Sequence, residues 1–389
     1  MLNIVLLGLV SFFSDISSEM VYPLIPLYLT SVFGATPALV GLIEGIAESL
    51  ASLLKVFSGY ITDRYYNKKP VAFIGYATGL LYKLALLLAG SWAGILAARV
   101  VDRIGKGVRT APRDVLVSES ADKEHMGRAF GIHKALDMAG SAAGILIAYL
   151  LLANASGGFE YKKLFLISII PAVLGLAVLL FVKEKKRQPQ AVKKRERFWK
   201  RLKEVDVNLK LYLLVAFLFT LGNSSNTFLL LRAKSVGFTD TNVVLLYLVY
   251  NLTAALLSIP FGRLSDKIGR KKVLVAGYLA FAAVYAGFAF VSNAAVLVGI
   301  FVLYGFYTAM TAGAERALIA EISPPQLKGT MLGLHATIVG VALLPASVIA
   351  GLLWDTIGAA APFLFGAVLS LAAAILLMVL LNKKPSVKV

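Results

Sequence analysis

Long hydrophobic stretches alternate with short charged segments along the whole chain. A helix that crosses the ~30 Å hydrocarbon core of a bilayer needs about 20 residues, and twelve stretches of this kind are present. They cover residues 4–30, 38–60, 71–90, 93–118, 129–152, 163–182, 211–231, 240–261, 273–291, 295–319, 329–353 and 362–381. The period-two alternation typical of membrane strands is absent. The pattern therefore predicts an all-α membrane protein with twelve transmembrane helices.

Basic residues are concentrated in every second connection between these stretches. They follow the second and eighth stretches, end the chain, and are most frequent between residues 183 and 210. The positive-inside rule then places both termini and the central segment in the cytoplasm, so we predict a multi-pass protein of the cytoplasmic (inner) membrane. The predicted division is a six-helix bundle at 1–182, a basic linker with an amphipathic helix at 183–210, a second bundle at 211–382 and a tail at 383–389.

The composition is that of a chain surrounded mainly by lipid. Hydrophobic residues make up 59% of the 389 residues and charged residues 15%, unlike the balance in soluble domains. A net charge of +18 raises the alternative of nucleic-acid binding, but no soluble segment is long enough, and contact with membrane lipids explains the basic residues better. The sequence has no cysteine, which excludes thiolate metal sites. We predict no metal and no cofactor.

Two short segments occur twice in the chain. Residues 59–64 are similar to residues 262–267, and residues 131–133 are similar to residues 333–335. The two copies lie 203 residues apart in the first case (262 − 59) and 202 residues apart in the second (335 − 133), close to half the chain length. A shared offset in so hydrophobic a chain predicts two copies of one helical unit on either side of a path through the membrane.

These repeated segments resemble the major facilitator superfamily. Its members carry a G-x-x-x-D-R/K-x-G-R-K loop between the second and third helices of each half, which Gly262, Asp266, Lys267, Gly269, Arg270 and Lys271 match throughout. The first copy keeps Gly59, Asp63, Arg64, Lys68 and Lys69 but has Tyr66 in place of the second glycine. The fourth-helix motif R-x-x-x-x-x-G-x-G of the family is met by Arg99, Gly105 and Gly107. The resemblance implies two pseudo-symmetric six-helix bundles in a monomeric transporter that works by alternating access.

Each motif loop is predicted to form a conformational latch. Its residues are Gly59, Asp63 and Arg64 in the first half and Gly262, Asp266, Lys267 and Arg270 in the second. A carboxylate at the inner end of a helix can accept hydrogen bonds from a helix N-terminus or from arginines of the opposed bundle. Such contacts would favour the outward-open state. The alternative is that these residues only fix the topology.

Four carboxylates fall within the first two predicted helices: Asp15, Glu19, Glu44 and Glu48. An ionisable group at a helix centre costs at least ~2.5–3.5 kcal/mol on insertion scales, so each one needs a use or a partner. Carboxyl groups that are crowded or removed from water hold protons closer to neutral pH, which makes these four our candidates for proton coupling. The alternative is that they neutralise Lys55, Lys83 and the arginines of the fourth helix.

The fourth helix carries an unusual charged face. At 100° per residue, Arg99, Asp102, Lys106, Arg109 and Arg113 fall within a stripe of about 80°, which must face protein or water. Arginine pairs with carboxylate or phosphate through a fork of donors. The candidates for substrate binding are therefore Lys106, Arg109 and Arg113, with Asn223 and Asn226 on the seventh helix; the alternative is an internal ion-pair network. Several tyrosines, including Tyr22, Tyr82 and Tyr247, are further lining candidates, although membrane aromatics more often pack.

Charged residues also lie at the predicted inner ends of the fourth and tenth helices. Aligning the halves by His133 and His335 places Arg113-Asp114 opposite Glu315-Arg316, and Glu119 opposite Glu321. We predict that these six charged residues form interhelical salt bridges around the cytoplasmic gate.

The leading functional hypothesis is a secondary transporter of a small molecule, driven by protons or another coupling ion, that exports amphipathic compounds. The transport of an organic or phosphorylated anion is the alternative. No Walker-type phosphate loop is present, which argues against ATP as the energy source. Three scattered histidines and no cysteine offer no catalytic cluster, so we predict that the protein is not an enzyme; a membrane enzyme, a channel and a non-transporting sensor are remote alternatives.

Overall fold

The computed structural model describes residues 2–65, 68–120, 126–155, 160–184, 207–323 and 328–380. Twelve helices run through these residues. They are α1 Leu2–Phe33, α2 Pro37–Tyr65, α3 Lys68–Leu88, α4 Trp92–Glu119, α5 Met126–Ala153, α6 Tyr161–Phe181, α7 Val207–Ser235, α8 Asp240–Ile268, α9 Arg270–Phe290, α10 Ala294–Ile322, α11 Lys328–Thr356 and α12 Ala361–Leu380.

The predicted all-α fold with twelve helices is confirmed. Among the described residues, eleven helices are long and apolar enough to cross a membrane. The remaining one, α4, carries too many charged residues for that criterion, yet it is 28 residues long. It packs between α2 and α3, and Arg99, Asp102, Arg103 and Arg109 of its charged face are buried inside the protein. Most of the predicted linker, residues 185–206, lies outside the described residues.

Two helices are interrupted at corresponding positions of the two halves. In α1 a 3-10 turn covers Tyr22–Leu24, and Pro23 and Pro26 explain it because proline lacks the N–H that continues a helix. In α7 the first segment ends at Gly222 and the second begins at Thr227. Paired interruptions of this kind mark the substrate sites of many transporters.

Helix packing follows one pattern in both halves. In the N-terminal bundle (α1–α6), α1 packs on α5 and α6, and α4 packs on α2 and α3. In the C-terminal bundle (α7–α12), α7 packs on α11 and α12, and α10 packs on α8 and α9. Each contact recurs six helices later. This is the pseudo-twofold arrangement that the repeated segments predict.

Glycines allow α1 and α5 to approach each other closely. A side chain added at Gly140 would collide with the backbone of Phe12, and one added at Gly144 would collide with the backbone of Ile16. Close packing alone therefore explains both glycines.

The two bundles meet along the α2–α11 and α5–α8 contacts. We name the end of the protein at which Leu2 and Leu380 lie the terminal end, and the opposite end the far end. At the far end, the Ala38 amide donates to Asp355 Oδ2 at 3.1 Å and the Tyr161 hydroxyl donates to Asp240 Oδ2 at 2.8 Å. Both hydrogen bonds join one bundle to the other. The far end is therefore closed by direct contact between the bundles.

Ion pairs at the terminal end join helices within each bundle. Lys68 Nζ lies 2.7 Å from Glu119 Oε1 and joins α3 to α4. At the corresponding position of the other half, Arg270 Nη1 lies 3.0 Å from Glu321 Oε2 and joins α9 to α10. Glu119 and Glu321 thus form interhelical salt bridges, but each one stays inside its own bundle.

The other four residues of the predicted inner gate are arranged differently from the prediction. Arg113 Nη2 contacts Asp114 Oδ1 of its own helix at 2.9 Å, because the nearest carboxylate belongs to the next residue. Glu315 lies beside Tyr278 and Arg316 is exposed. Among the described residues, none of these four forms a salt bridge between helices.

Only the second copy of the predicted latch lies among the described side chains; those of Gly59, Asp63 and Arg64 lie outside them. Gly262 is the first glycine of the motif and Gly269 is the second. Gly269 has φ +98°, a conformation that favours glycine, which explains why the motif has glycine at this position. Arg270 Nη2 lies 3.5 Å from Asp266 Oδ1 of the same loop, and Lys267 is exposed. The latch between bundles stays a prediction.

Candidate functional site

A cavity of about 180 Å³ lies between helices α1–α4 and α8. Its wall contains acidic and basic residues in equal number, one serine and three tyrosines. These residues are Asp15, Ser18, Glu19, Tyr22, Glu48, Tyr82, Arg99, Asp102, Arg103, Lys106, Arg109 and Tyr247. All of them except Tyr247 belong to the N-terminal bundle. The charged stripe predicted on α4 faces this cavity, apart from Arg113.

Two arginines of α4 pair with Glu44 and Glu48 of α2. Arg99 Nη2 lies 2.5 Å from Glu44 Oε2, and both side chains are almost fully buried. Arg103 Nη2 lies 2.6 Å from Glu48 Oε1. Asp102 Oδ2 lies between the arginines, 3.9 Å from Arg99 Nη1 and 3.8 Å from Arg103 Nη1. Glu44 and Glu48 thus neutralise arginines in this conformation, which is the alternative to proton coupling for these two residues.

Arg109 differs from Arg99 and Arg103 in having no acidic partner. Arg109 is 5% exposed and lines the cavity. Its guanidinium lies 4.8 Å from the ring centroid of Tyr76. Within the described part of the chain, no carboxylate lies within 4.0 Å of it. A buried, unpaired cation is costly, and a guanidinium presents a fork of donors that fits an anion. Arg109 is therefore suited to bind an anionic group in the cavity.

Asp15 and Glu19 lie one turn apart on α1 and have no ion-pair partner within 4.0 Å in the parts of the chain that are described. Asp15 accepts a hydrogen bond from Ser141 Oγ at 3.5 Å and lies beside the carboxyl group of Asp137 on α5. Glu19 Oε2 accepts a hydrogen bond from the Tyr247 hydroxyl at 3.3 Å. Asp15 and Glu19 are thus free of the arginine pairing that holds Glu44 and Glu48.

Among the described residues, the formal charges of the carboxylates and cations around the cavity cancel. The carboxylates are Asp15, Glu19, Glu44, Glu48 and Asp102, and the cations are Lys83, Arg99, Arg103, Lys106 and Arg109. Lys83 is almost fully buried and lies near Asp102. Uptake of a proton by one carboxylate leaves the cluster net positive, which favours an anion in a medium of low dielectric constant.

The remaining substrate candidates lie outside the cavity wall. Asn226 Nδ2 donates to the Tyr250 hydroxyl at 3.1 Å, and the Tyr304 hydroxyl donates to Asn226 Oδ1 at 2.7 Å. Asn223 Nδ2 donates to the Tyr307 hydroxyl at 3.0 Å. These bonds tie the interrupted part of α7 to α8 and α10. The structure does not bring Asn223, Asn226 or Arg113 into the wall.

Arg103 and Lys83 belong to the charged cluster but are not among the predicted site residues. Arg103 lies beside the predicted stripe of α4 and follows Arg99 by four residues, so one helical turn is the signal that identifies it. Lys83 is a single charge on an otherwise apolar stretch of α3. Its position on an apolar helix signals a buried role, but only the packing of α3 on α4 brings it near Asp102.

Comparison with known proteins identifies a family and a fold. A family profile described as Major Facilitator Superfamily matches residues 7–231 and 212–389. An uncharacterised MFS-type transporter of Methanocaldococcus jannaschii is 39% identical over 382 residues, which cover 97% of this chain and 94% of the relative. A probable 4-methylmuconolactone transporter of Cupriavidus pinatubonensis is 28% identical over 156 residues, which cover 40% of this chain and 36% of that protein.

The same architecture occurs in solved structures of distant sequence. The crystal structure of a point mutant of the nucleoside transporter NupG matches with a TM-score of 0.83, covering 98% of this chain and 100% of that chain at 13% identity. A likeness at this level of identity concerns the fold alone. It agrees with the two bundles of α1–α6 and α7–α12.

Proposed function

Because this chain belongs to the Major Facilitator Superfamily, we propose that it carries a small organic anion across the membrane together with protons. It is a multi-pass membrane transporter of that family. The anionic substrate, the proton coupling and the symport are the parts that we add. They rest on the charges of the cavity.

Arg109 is the observation that carries the proposal of an anionic substrate. Its guanidinium lines the cavity, is buried, and lacks an acidic partner in the described residues. The neighbouring Lys106 also lines the cavity. A carboxylate or phosphate group bound at Arg109 would supply the missing counter-charge through charge-assisted hydrogen bonds.

Charge balance favours symport of the anion with a proton. Asp15 and Glu19 are the carriers that we propose, since neither is paired with an arginine in the described chain. Asp15 lies beside the carboxyl group of Asp137, which is itself paired with Lys134 Nζ at 2.7 Å. Protonation makes the cluster net positive and favours binding of the anion. By linkage, the bound anion favours protonation to the same extent.

The cavity fits a small polar substrate better than a large amphipathic one. Its volume of about 180 Å³ is below the roughly 300–1,000 Å³ of clefts that hold drug-sized ligands. Its wall is mainly charged. An apolar molecule placed there would displace the water that hydrogen-bonds to those charged groups and would offer them no hydrogen bonds in return. Export of amphipathic compounds stays a prediction that this geometry supports less well.

The test begins with purified protein, screened by thermal shift against a panel of monocarboxylates, dicarboxylates and sugar phosphates. The anion that stabilises the protein is then used in proteoliposome uptake driven by an inward pH gradient. In Arg109→Gln, we expect binding to weaken by about tenfold or more, since hydrogen bonds to charged groups contribute about 1.5–3 kcal/mol. The matched control is Arg263→Gln, because Arg263 is an exposed arginine of α8. Unchanged anion uptake by Arg109→Gln would exclude the proposed anion site.

A further inference from the structure

Tyr247 connects the cavity to the C-terminal bundle. It lies on α8, is 5% exposed, and lines a wall whose other residues belong to α1–α4 in the described structure. Its hydroxyl donates to Glu19 Oε2 at 3.3 Å, and its ring lies 5.7 Å from the ring of Tyr22. A carboxylate of the first bundle is thus hydrogen-bonded to a side chain of the second bundle, inside the cavity.

The contacts of Tyr247 continue into the interrupted helix α7. The rings of Tyr247 and Tyr250 lie 5.4 Å apart, and Asn226 Nδ2 donates to the Tyr250 hydroxyl at 3.1 Å. Asn226 in turn accepts from the Tyr304 hydroxyl of α10 at 2.7 Å. A continuous set of packed and hydrogen-bonded groups therefore runs from Glu19 on α1 to α8, α7 and α10.

We propose that Tyr247 is the positioning residue through which the C-terminal bundle responds to the protonation of Glu19. An ionised carboxylate accepts a stronger, charge-assisted hydrogen bond than a protonated carboxyl group does. Ionised Glu19 therefore holds α1 and α8 together, and its protonation weakens that connection. This inference rests on the proposed proton coupling and adds the residue that links it to the movement of the bundles.

Other groups near Glu19 influence its charge without bridging the bundles. They are Lys106 and Arg103 on α4, Glu48 on α2, Asp15 on α1 with Asp137 of α5 beside it, and Tyr250 on α8. Apart from Tyr250, all of them lie in the same bundle as Glu19. The Tyr250 hydroxyl accepts from Asn226 of its own bundle. Tyr247 is thus the residue to substitute in order to separate the bundle connection from the charge of Glu19.

The experiment measures the separation of the bundles at the far end as pH changes. The chain has no cysteine, so nitroxide labels can be placed at Asn154→Cys and Asn242→Cys, two exposed positions on different bundles. Pulsed electron paramagnetic resonance is recorded in nanodiscs at about pH 8 and about pH 5, which bracket the titration of a carboxyl group in a cavity. Acidification is expected to raise the ratio of separated to closed far ends by about tenfold, the loss expected for a charge-assisted hydrogen bond.

Tyr247→Phe keeps the ring and removes the hydroxyl. In this variant we expect the ratio to change less than about twofold between the two pH values, because the connection is already broken at high pH. Tyr285→Phe is the matched control, since Tyr285 is a buried tyrosine of the C-terminal bundle outside the cavity wall, and it should respond like the parent. The inference would be overturned if acidification changed the ratio of separated to closed far ends in Tyr247→Phe to within about twofold of the change in the parent. It would also be overturned if acidification did not change this ratio in the parent.

A second measurement separates this inference from the proposed function. Substrate-dependent proton uptake into proteoliposomes is recorded for Glu19→Gln and for Tyr247→Phe. If Glu19→Gln and an Asp15→Asn variant both keep proton uptake, the proposed coupling is wrong. If they lose it while Tyr247→Phe keeps both proton uptake and the pH response of the far end, the coupling stands and the role of Tyr247 is wrong.

Discussion

At the scale of single residues, pairing divides the buried charges into two groups. Glu44 and Glu48 are held by Arg99 and Arg103, and replacing one member of a buried pair leaves an uncompensated charge. Arg109 has no such partner among the described residues. The helical period identifies the charged face of α4 from the sequence alone, but it does not say which arginine meets which carboxylate. That choice depends on how α2 packs against α4, which no local pattern contains.

Glu44→Gln should destabilise the fold strongly because it leaves Arg99 buried beside a neutral amide. We expect a loss of about 3–5 kcal/mol, the usual result of removing one partner of a buried pair, measured as a lower midpoint of thermal unfolding in detergent. Glu321→Gln is the control: it breaks the pair with Arg270, in which the side chain of Glu321 is 57% exposed, and should cost less than about 1 kcal/mol. Equal midpoints for the two variants would contradict the structural role of Glu44.

At the scale of helices, backbone contacts at glycine fix how closely neighbouring helices approach. A side chain added at Gly351 on α11 would lie 2.6 Å from Ala38 Cα and 2.7 Å from the carbonyl oxygen of Pro37 on α2. Backbone atoms do not move aside as a flexible side chain does. Closure of the far end therefore requires glycine at this position of the α2–α11 contact.

Gly351→Ala should shift the protein away from the closed far end. Overpacking typically costs about 1–3 kcal/mol, so the ratio of closed to separated far ends should fall by about fivefold or more, measured with the labels at Asn154→Cys and Asn242→Cys. Gly299→Ala is the control, since a Cβ added at Gly299 on α10 has no heavy atom within 4 Å. An unchanged distance distribution in Gly351→Ala would show that closure of the far end does not require glycine at this position.

The sequence predicts helices better than it predicts their interruptions. The twelve apolar stretches indicate all twelve helices, and α4 is recognised despite its charges because its hydrophobic residues keep the helical period on the other faces. The turn at Tyr22–Leu24 has a local cause in Pro23 and Pro26. The interruption of α7 at residues 223–226 contains no proline. Its cause is tertiary, since the asparagine side chains bond to tyrosines of α8 and α10.

At the scale of the whole molecule, a symmetric framework carries unequal chemistry. Helix contacts recur six helices later, and the pairs Lys68–Glu119 and Arg270–Glu321 occupy matching positions. The charged cavity, in contrast, belongs almost entirely to the N-terminal bundle in the described chain. The N-terminal bundle thus contains the charged side chains of the cavity, while the C-terminal bundle contributes Tyr247 and a layer of packed aromatic rings. The repeat is visible in the sequence, but the contribution of Tyr247 to the cavity wall is not, because tyrosine is common on membrane helices.

The formal charge balance of the cavity makes a prediction about the whole transport cycle. If one proton accompanies each monovalent anion, the loaded and the empty cavity carry the same net charge, and the cycle moves no net charge across the membrane. A potential of about 100 mV supplies about 2.3 kcal/mol per charge moved, which would change accumulation by tens of fold in an electrogenic cycle.

For a monovalent anion in proteoliposomes, we expect a valinomycin-clamped potassium potential to change accumulation by less than about twofold at equal pH on both sides. An imposed pH gradient of one unit should change accumulation by about tenfold, since a unit of pH corresponds to about 1.4 kcal/mol per proton. Accumulation driven by an inside-negative potential alone would mean that the number of protons exceeds the charge of the anion, and the balance between the five carboxylates and five cations around the cavity would then not set the stoichiometry.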